Sequence, residues 1–369
     1  MRWLGVRLKP LVVGGTSSAS AIKQTIAAFS QSHTNRVLII SYGYFRRQVK
    51  ALQAVKCDLI MCDEGHKLKN ATSKITLAVK SMPAKQRIIL SGTPIQNDLQ
   101  EFFVVMDVVN PGVLGSLQSF KRVFEQPINK CHDRSSSEIA REEGMMRAQE
   151  LANRCNMFIL RRPSSTLIPY LPPRVEQVVF CRLAPLQERL YRHFLSSRRF
   201  MKDLMGGKQA YAFQCIQMLQ QLCNHPALIH QKCVAAANDE EDFLHGADRL
   251  FPKDFDPSAC QVEFSGKIQL LDQMLTTIRN AEKKTKVVVV SNFTKTLDVI
   301  EQMLVVKKHK FLRLDGSTDR AKRMVNVDRF NNPHAPEFVF LLSSKAGGVG
   351  LNLIGASRLI LFDPDWYLP

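Results

Sequence analysis

The stretch IMCDEGHKLKN, residues 60–70, decides how this chain is read. Leu59, Ile60, Met61 and Cys62 are the residue types of a buried strand, and they end abruptly in two carboxylates, Asp63 and Glu64. A solvated turn has the same composition, so the pair gains meaning only from its neighbours. RVLIISY (36–42), CDLIMC (57–62) and RIILS (87–91) are continuous apolar runs of strand length, which predicts a parallel sheet covered on both faces. Between the last two, Asn70–Met82 carries Ile75, Leu77, Ala78 and Val79 with Lys74 and Lys80, the pattern of a crossover helix. Ligands of open parallel sheets bind outside the carboxyl ends of the strands, and Asp63 and Glu64 fall there.

From about Asp98 to Leu271 helical patterns take over, at Leu99–Val109, Met145–Phe158, Pro185–Ser196 and Ala210–Cys223. Two stretches, 130–144 and 235–261, are polar or broken by Gly246, Pro252 and Pro257 and read as loops. After Ser265 strands return: KVVVVSNF (286–293), FLRLDGS (311–317), EFVFLLSS (337–344) and SRLILFD (357–363). The expected class is therefore α/β, with residues 1–110 and 265–369 forming parallel-sheet lobes around a helical region, 111–264.

Composition bounds the function. The 369 residues are 45% hydrophobic, enough for more than one core. Fifty-one Lys and Arg against 33 Asp and Glu give a net charge of +18, which favours a polyanionic partner. No run approaches the roughly 18 apolar residues of a membrane span, and MRWLGVRLKPLVVGG makes a poor signal peptide. Nine cysteines without a C-x-x-C pair fit a reducing, intracellular compartment. Cys223, His225, His230 and Cys233 do not match a familiar zinc spacing, and LCNHPALI reads as a helix end stopped by Pro226.

After the third strand comes SGTPIQNDLQEFF (91–103), where Gly92 suits a tight turn and Pro94 a helix start. DEGH (63–66) and LSGTPIQNDL (90–99) together resemble motifs II and III of the Swi/Snf-type, superfamily 2 DNA-dependent ATPases. The resemblance continues in order through FILRR (158–162), LPPR (171–174), LCNHP (222–226), SGK (265–267), VVVVSNFTKTLD (287–298), RLDGST (313–318) and SSKAGGVGLNLIGASRLILFDPDW (343–366). Within the family, IQNDLQEFF, LPPRVEQVVFCRL and SSKAGGVGLNLIGA look most like the recombination-repair, Rad-type translocase branch.

The resemblance implies two RecA-like lobes, both truncated and joined by helical insertions, ATP and Mg²⁺ as cofactors, double-stranded DNA and a strand-exchange recombinase filament as partners, and a nuclear location. It assigns Asp63 to Mg²⁺ and Glu64 to the attacking water, because phosphoryl transfer is catalysed by positioning and charge neutralisation. His66, Ser91, Gly92 and Thr93 would couple the nucleotide site to the DNA track. Ser343, Ser344, Lys345, Gly347, Gly348 and Gly350 would meet the DNA backbone or the other lobe, since exposed amides in a small-residue loop approach phosphate closely. Arg46–Arg47, Arg161–Arg162, Lys283–Lys284 and Arg320–Arg323 are further candidate phosphate contacts. A chromatin-remodelling ATPase of the same family and a non-catalytic DNA- or recombinase-binding module are the alternatives. An RNA helicase fits DEGH followed by LSGTPIQN less well.

One expected motif is missing. A phosphate-cradling loop needs G-x-x-x-x-G-K-[ST], whereas Gly207–Lys208 is followed by Gln209 and Gly266–Lys267 by Ile268. In the family that loop precedes the point where Met1 falls, and an arginine-bearing motif VI follows the tryptophan of DPDW. Loss of an arginine finger alone lowers rates by about 10³ to 10⁵. This 369-residue chain by itself is therefore expected to show no DNA-stimulated ATP hydrolysis in a phosphate-release assay. Turnover that Glu64→Gln abolishes contradicts the expectation.

Overall fold

The computed structural model describes residues 9–14, 18–32, 34–92, 98–133, 136–205, 209–239, 244–281, 284–346 and 351–363. The chain divides into two compact units, residues 1–174 and 175–369. Among the described residues no helix is long and apolar enough to cross a membrane.

The first unit holds two parallel strand pairs. β1 (Leu11–Val13) lies beside β2 (Leu38–Ile40), and β3 (Cys57–Cys62) beside β4 (Ala84–Ile89) in a register that sets Met61 against Ile88 and Cys62 against Ile89. The crossover helix, Lys74–Lys80, starts where Ser73 Oγ accepts the Thr76 N–H. At its other end the Arg87 guanidinium donates to the Met82 carbonyl at 2.8 Å, so a strand residue ties down the chain leaving the helix. Cys62, Ala78, Val79, Met82, Phe45 and Leu52 form the core on one face of these strands. The helix Leu99–Val109 joins a second core with Phe120, Phe124, Leu151 and Cys155.

The second unit carries a four-stranded parallel sheet of β5 (Val287–Ser291), β6 (Phe311–Leu314), β7 (Val339–Ser343) and β8 (Arg358–Leu361), ordered β6-β7-β5-β8. Val287, Val289, Phe340 and Leu341 are completely buried, as the continuous apolar runs predict. Helices Pro185–Ser196, Gln209–Asn224 and Ala227–Ala235 gather around Leu190, Phe194, Leu222 and Ile229. The buried amide of Gln187 holds this group together. Its Oε1 accepts the N–H groups of Ala184 and Gly266 at 3.0 and 3.1 Å, and its Nε2 donates to the Leu222 and Cys223 carbonyls at 2.8 and 3.0 Å. Gly266 has to be glycine here, because a Cβ would sit 1.9 Å from the Arg182 carbonyl oxygen.

Two expectations need correction, and one strand was not read from the sequence. The strands of the first unit are not covered on both faces: Met61 is 58% and Ile88 41% exposed, because the described core forms only on the Ile60, Cys62 and Ile89 side. The stretch 130–144 is not all loop, since Ser137 caps a helix spanning Glu138–Cys155 through the Ala140 N–H. β1 went unread because three residues carry too little periodicity.

His225 is 1% exposed. Its Nδ1 accepts the Ala227 N–H, which leaves Nε2 to carry the proton and donate to the Gln261 carbonyl. Burial pushes its pKa below the usual histidine range, against smaller opposing effects of Gln261 and Glu263. The unfolded chain thus takes up this proton first as pH falls. The stability due to neutral His225 is complete above about pH 6.5 and is lost below it, at up to about 1.4 kcal/mol per pH unit. Asp363, pushed upward by burial, acts with the opposite sign, so comparison with a variant isolates the histidine. Denaturant titrations from pH 7 to pH 5 are expected to show a shallower loss for His225→Gln than for the parent chain. Equal slopes contradict the assignment.

Candidate active site

β3 runs into the Asp63–Glu64 turn, and the ladder with the neighbouring strand continues past both strand ends. The Leu90 N–H donates to the Cys62 carbonyl at 2.8 Å, and the Gly65 N–H returns a bond to the Leu90 carbonyl at 2.7 Å. The acidic turn is thereby fastened beside Ser91 and Gly92. This approach leaves no room for a side chain at position 65: a Cβ would lie 2.1 Å from Ile89 Cγ2 and 3.3 Å from the Leu90 carbonyl oxygen. Glu64 pays the conformational cost, with φ of 54° and ψ of 55°, a left-handed backbone that non-glycine residues rarely adopt. A single helical turn, Gly65–Leu68, follows; Leu68 is completely buried, and its carbonyl accepts the Thr76 hydroxyl at 3.1 Å.

Asp63 is exposed and Glu64 half-buried. Asp63 Oδ1 accepts the Glu64 N–H at 2.9 Å, and the Asp63 carbonyl accepts the Tyr42 hydroxyl at 2.7 Å. Burial pushes the Tyr42 phenol well above its ordinary pKa, assisted by Cys62, Asp63 and Glu64, so it stays a neutral donor. His66 Nδ1 lies 3.2 Å from Glu64 Oε2, which places both side chains at the same mouth. Two neighbouring carboxylates suit Mg²⁺, which is usually held by one or two protein carboxylates with phosphate oxygens and waters. No group of three or more metal-binding side chains occurs among the described residues, so the substrate's phosphates would have to complete the coordination.

Of the predicted residues, the structure brings Asp63, Glu64, His66, Ser91 and Gly92 to one rim, while Thr93 lies outside the described residues. Among the described residues nothing lies within 4 Å of where a Cβ on Gly92 would project. The sequence reading missed Tyr42 and Gly65. A hydroxyl that reaches across 21 positions leaves no local signal, and the constraint on Gly65 exists only once two strands are side by side.

In the second unit Ser343 ends β7 as a buried residue. The Ala346 N–H donates to its carbonyl at 3.0 Å, and the Ser344 N–H donates to the Ser291 carbonyl at 3.0 Å. This turn leaves Lys345 exposed at a cavity of about 310 Å³, whose lining includes Asn292, Lys295 and Ser343. Gly347, Gly348 and Gly350 lie outside the described residues. Arg323, expected among the phosphate contacts, is instead directed inward: its guanidinium donates to the carbonyls of Thr318, Asp315 and Ala346 at 3.2, 3.4 and 3.4 Å. It braces the loop that presents Lys345. Arg46, Arg47, Arg161, Arg162 and Lys284 are exposed.

Comparison with known proteins agrees with this layout. Residues 1–228 match the SNF2-related domain and residues 266–368 the helicase conserved C-terminal domain. The chain is 44% identical to the chicken (Gallus gallus) DNA repair and recombination protein RAD54-like and 45% identical to the human (Homo sapiens) one. These matches cover 99% of this chain and 50% and 49% of the relatives. It thus spans about half the length of the curated relatives it matches. A solved structure, the Sulfolobus solfataricus SWI2/SNF2 ATPase core in complex with dsDNA, is similar with a TM-score of 0.39 and 23% identity, over 96% of this chain and 70% of its own. On the two domain matches, and with parallel strands in both of its units, the chain belongs to the SNF2-related family.

Proposed function

We propose that the chain is part of an ATP-dependent translocase that moves on double-stranded DNA in homologous recombination and DNA repair, in the nucleus. The observation that carries this reading is the Asp63–Glu64 turn at the carboxyl end of β3, fixed by the Gly65–Leu90 bond beside the Ser91 loop. When bound, Mg·ATP supplies the phosphoryl group that is transferred. Asp63 would hold the metal, and Glu64 would orient and polarise the attacking water. The left-handed backbone at Glu64 aims its carboxylate away from the strand direction, beside His66. His66, Ser91, Gly92 and Thr93 pass the nucleotide state toward the DNA track.

Ser343, Ser344, Lys345 and the glycines at 347, 348 and 350 contact the DNA backbone or the first lobe. Phosphate contacts carry no base sequence, which suits movement along any duplex. The net charge of +18 supports a polyanionic track. The names of the relatives, proteins of DNA repair and recombination, support a recombinase filament as the protein partner. The three-part division at residues 110 and 265 belongs to the same reading, with the helices between the lobes serving the coupling.

The test is binding of the purified chain to duplex DNA and duplex RNA over a salt series. Preference for DNA is expected, and Lys345→Ala is expected to weaken binding equally for all sequences while lowering the salt slope by about 1. Equal affinity for RNA, or an unchanged slope for the variant, overturns the reading. Gly65→Ala is expected to lower stability by about 1–3 kcal/mol in thermal unfolding, because Ile89 and the Leu90 backbone must shift.

A further inference from the structure

Three of the sequence motifs, LCNHP (222–226), SGK (265–267) and the FDPD of 362–365, have no role in the reading above. In the second unit the structure draws one residue of each to a single buried point. Asp363 is 8% exposed. Its Oδ1 accepts the Asn292 N–H at 2.6 Å, and its Oδ2 accepts the Ser291 hydroxyl at 2.7 Å and the Asn224 amide at 2.8 Å. The Asn292 side chain returns a bond to the Asp363 carbonyl at 3.0 Å. Asn224 Oδ1 in turn accepts Lys267 Nζ at 2.9 Å. A carboxylate this buried is tolerated because three donors converge on it.

The direction of this grip gives it a purpose. Asp363 is not among the residues lining the 310 Å³ cavity, yet Asn292, which it holds by backbone and side chain together, is. Asn292 also leads directly into the helix Thr294–Val306, whose second residue, Lys295, lines the same cavity as Ser343 and Lys345. The helix starts at Phe293 without a side-chain cap bond. From outside its own loop this wall is held by Asp363, and by Asn224, whose amide also donates to the Thr296 hydroxyl at 3.2 Å.

We propose that Asp363, steadied by Asn224 and Lys267, is a positioning residue that sets the Asn292–Lys295 wall of the cavity for a DNA phosphate, without touching the DNA itself. The proposal rests on the reading of the Lys345 loop as a backbone contact. It separates two kinds of residue, those that meet phosphate and one that holds them, and these have different signatures in a salt series.

Asp363→Asn keeps the shape but replaces an acceptor oxygen by a donor. Duplex DNA affinity of the full 369-residue chain is expected to fall about tenfold with the salt slope unchanged, because the loss is of a charged hydrogen-bond acceptor and not of a phosphate contact. Amide exchange at Asn292 is expected to accelerate at least tenfold while Val289, in mid-strand, keeps its protection. Ser291→Ala, which removes one donor, is expected to give a smaller change of the same kind and carries the test if Asp363→Asn does not fold. Wild-type affinity in the folded variants, or a slope lowered by about 1, overturns the proposal. If the parent chain binds no duplex, the reading of the Lys345 loop fails, and Asn292 exchange alone decides: unchanged protection in the variants overturns the positioning role.

Discussion

Two backbone hydrogen bonds beyond the ends of β3 and its neighbour govern the first unit. Leu90 to Cys62 and Gly65 to Leu90 carry a parallel ladder one step into what would otherwise be loop. Everything placed at that rim follows from them. They bring the Ser91 loop against the acidic turn, require glycine at 65, and leave Glu64 in a left-handed backbone that the surrounding bonds must sustain. Strain of this kind typically costs about 1–3 kcal/mol and persists only where its neighbours over-determine it. Tyr42, half-buried and un-ionised, adds a second anchor by holding the Asp63 carbonyl.

The second unit uses the same geometry with different chemistry. Its strands also deliver turns at their carboxyl ends, but the residues there are Ser343, Lys345, Asn292 and Lys295, suited to an anion and not to a metal. Each turn is braced from behind. Arg323 donates to three carbonyls around the Lys345 loop, and Asp363 accepts from three donors around the Asn292 loop. One turn is thus braced by a half-buried donor, Arg323, and the other by a buried acceptor, Asp363.

How much of this was legible in the sequence depended on how local the signal was. CDLIMC marked a strand that is found at Cys57–Cys62, and Pro185–Ser196 and Leu99–Val109 are found with the expected bounds, because apolar periodicity and caps act within a few residues. The acidic pair at a strand end was readable for the same reason. Burial was less so: the apolar run that is wholly enclosed in β7 looks much like the one in β3, where Met61 faces solvent, since the difference lies in what packs on the sheet. Least readable were Tyr42, Gly65, Arg323 and Asp363, whose partners come from distant positions, 139 residues away for Asn224 and Asp363. Single polar residues have no period, and their roles appear only when the strands are assembled.

The acidic turn is a fixed pair only because the ladder extends past β3 and pins it. Amide hydrogen exchange of Gly65 and Leu90 measures this directly. Both are expected to be protected to a degree comparable with Met61 in mid-strand, while Gly92, which follows the ladder's end, exchanges quickly. Exchange of Gly65 at the rate of an open loop would contradict it, and with it the placement of Asp63 and Glu64 as a fixed catalytic pair.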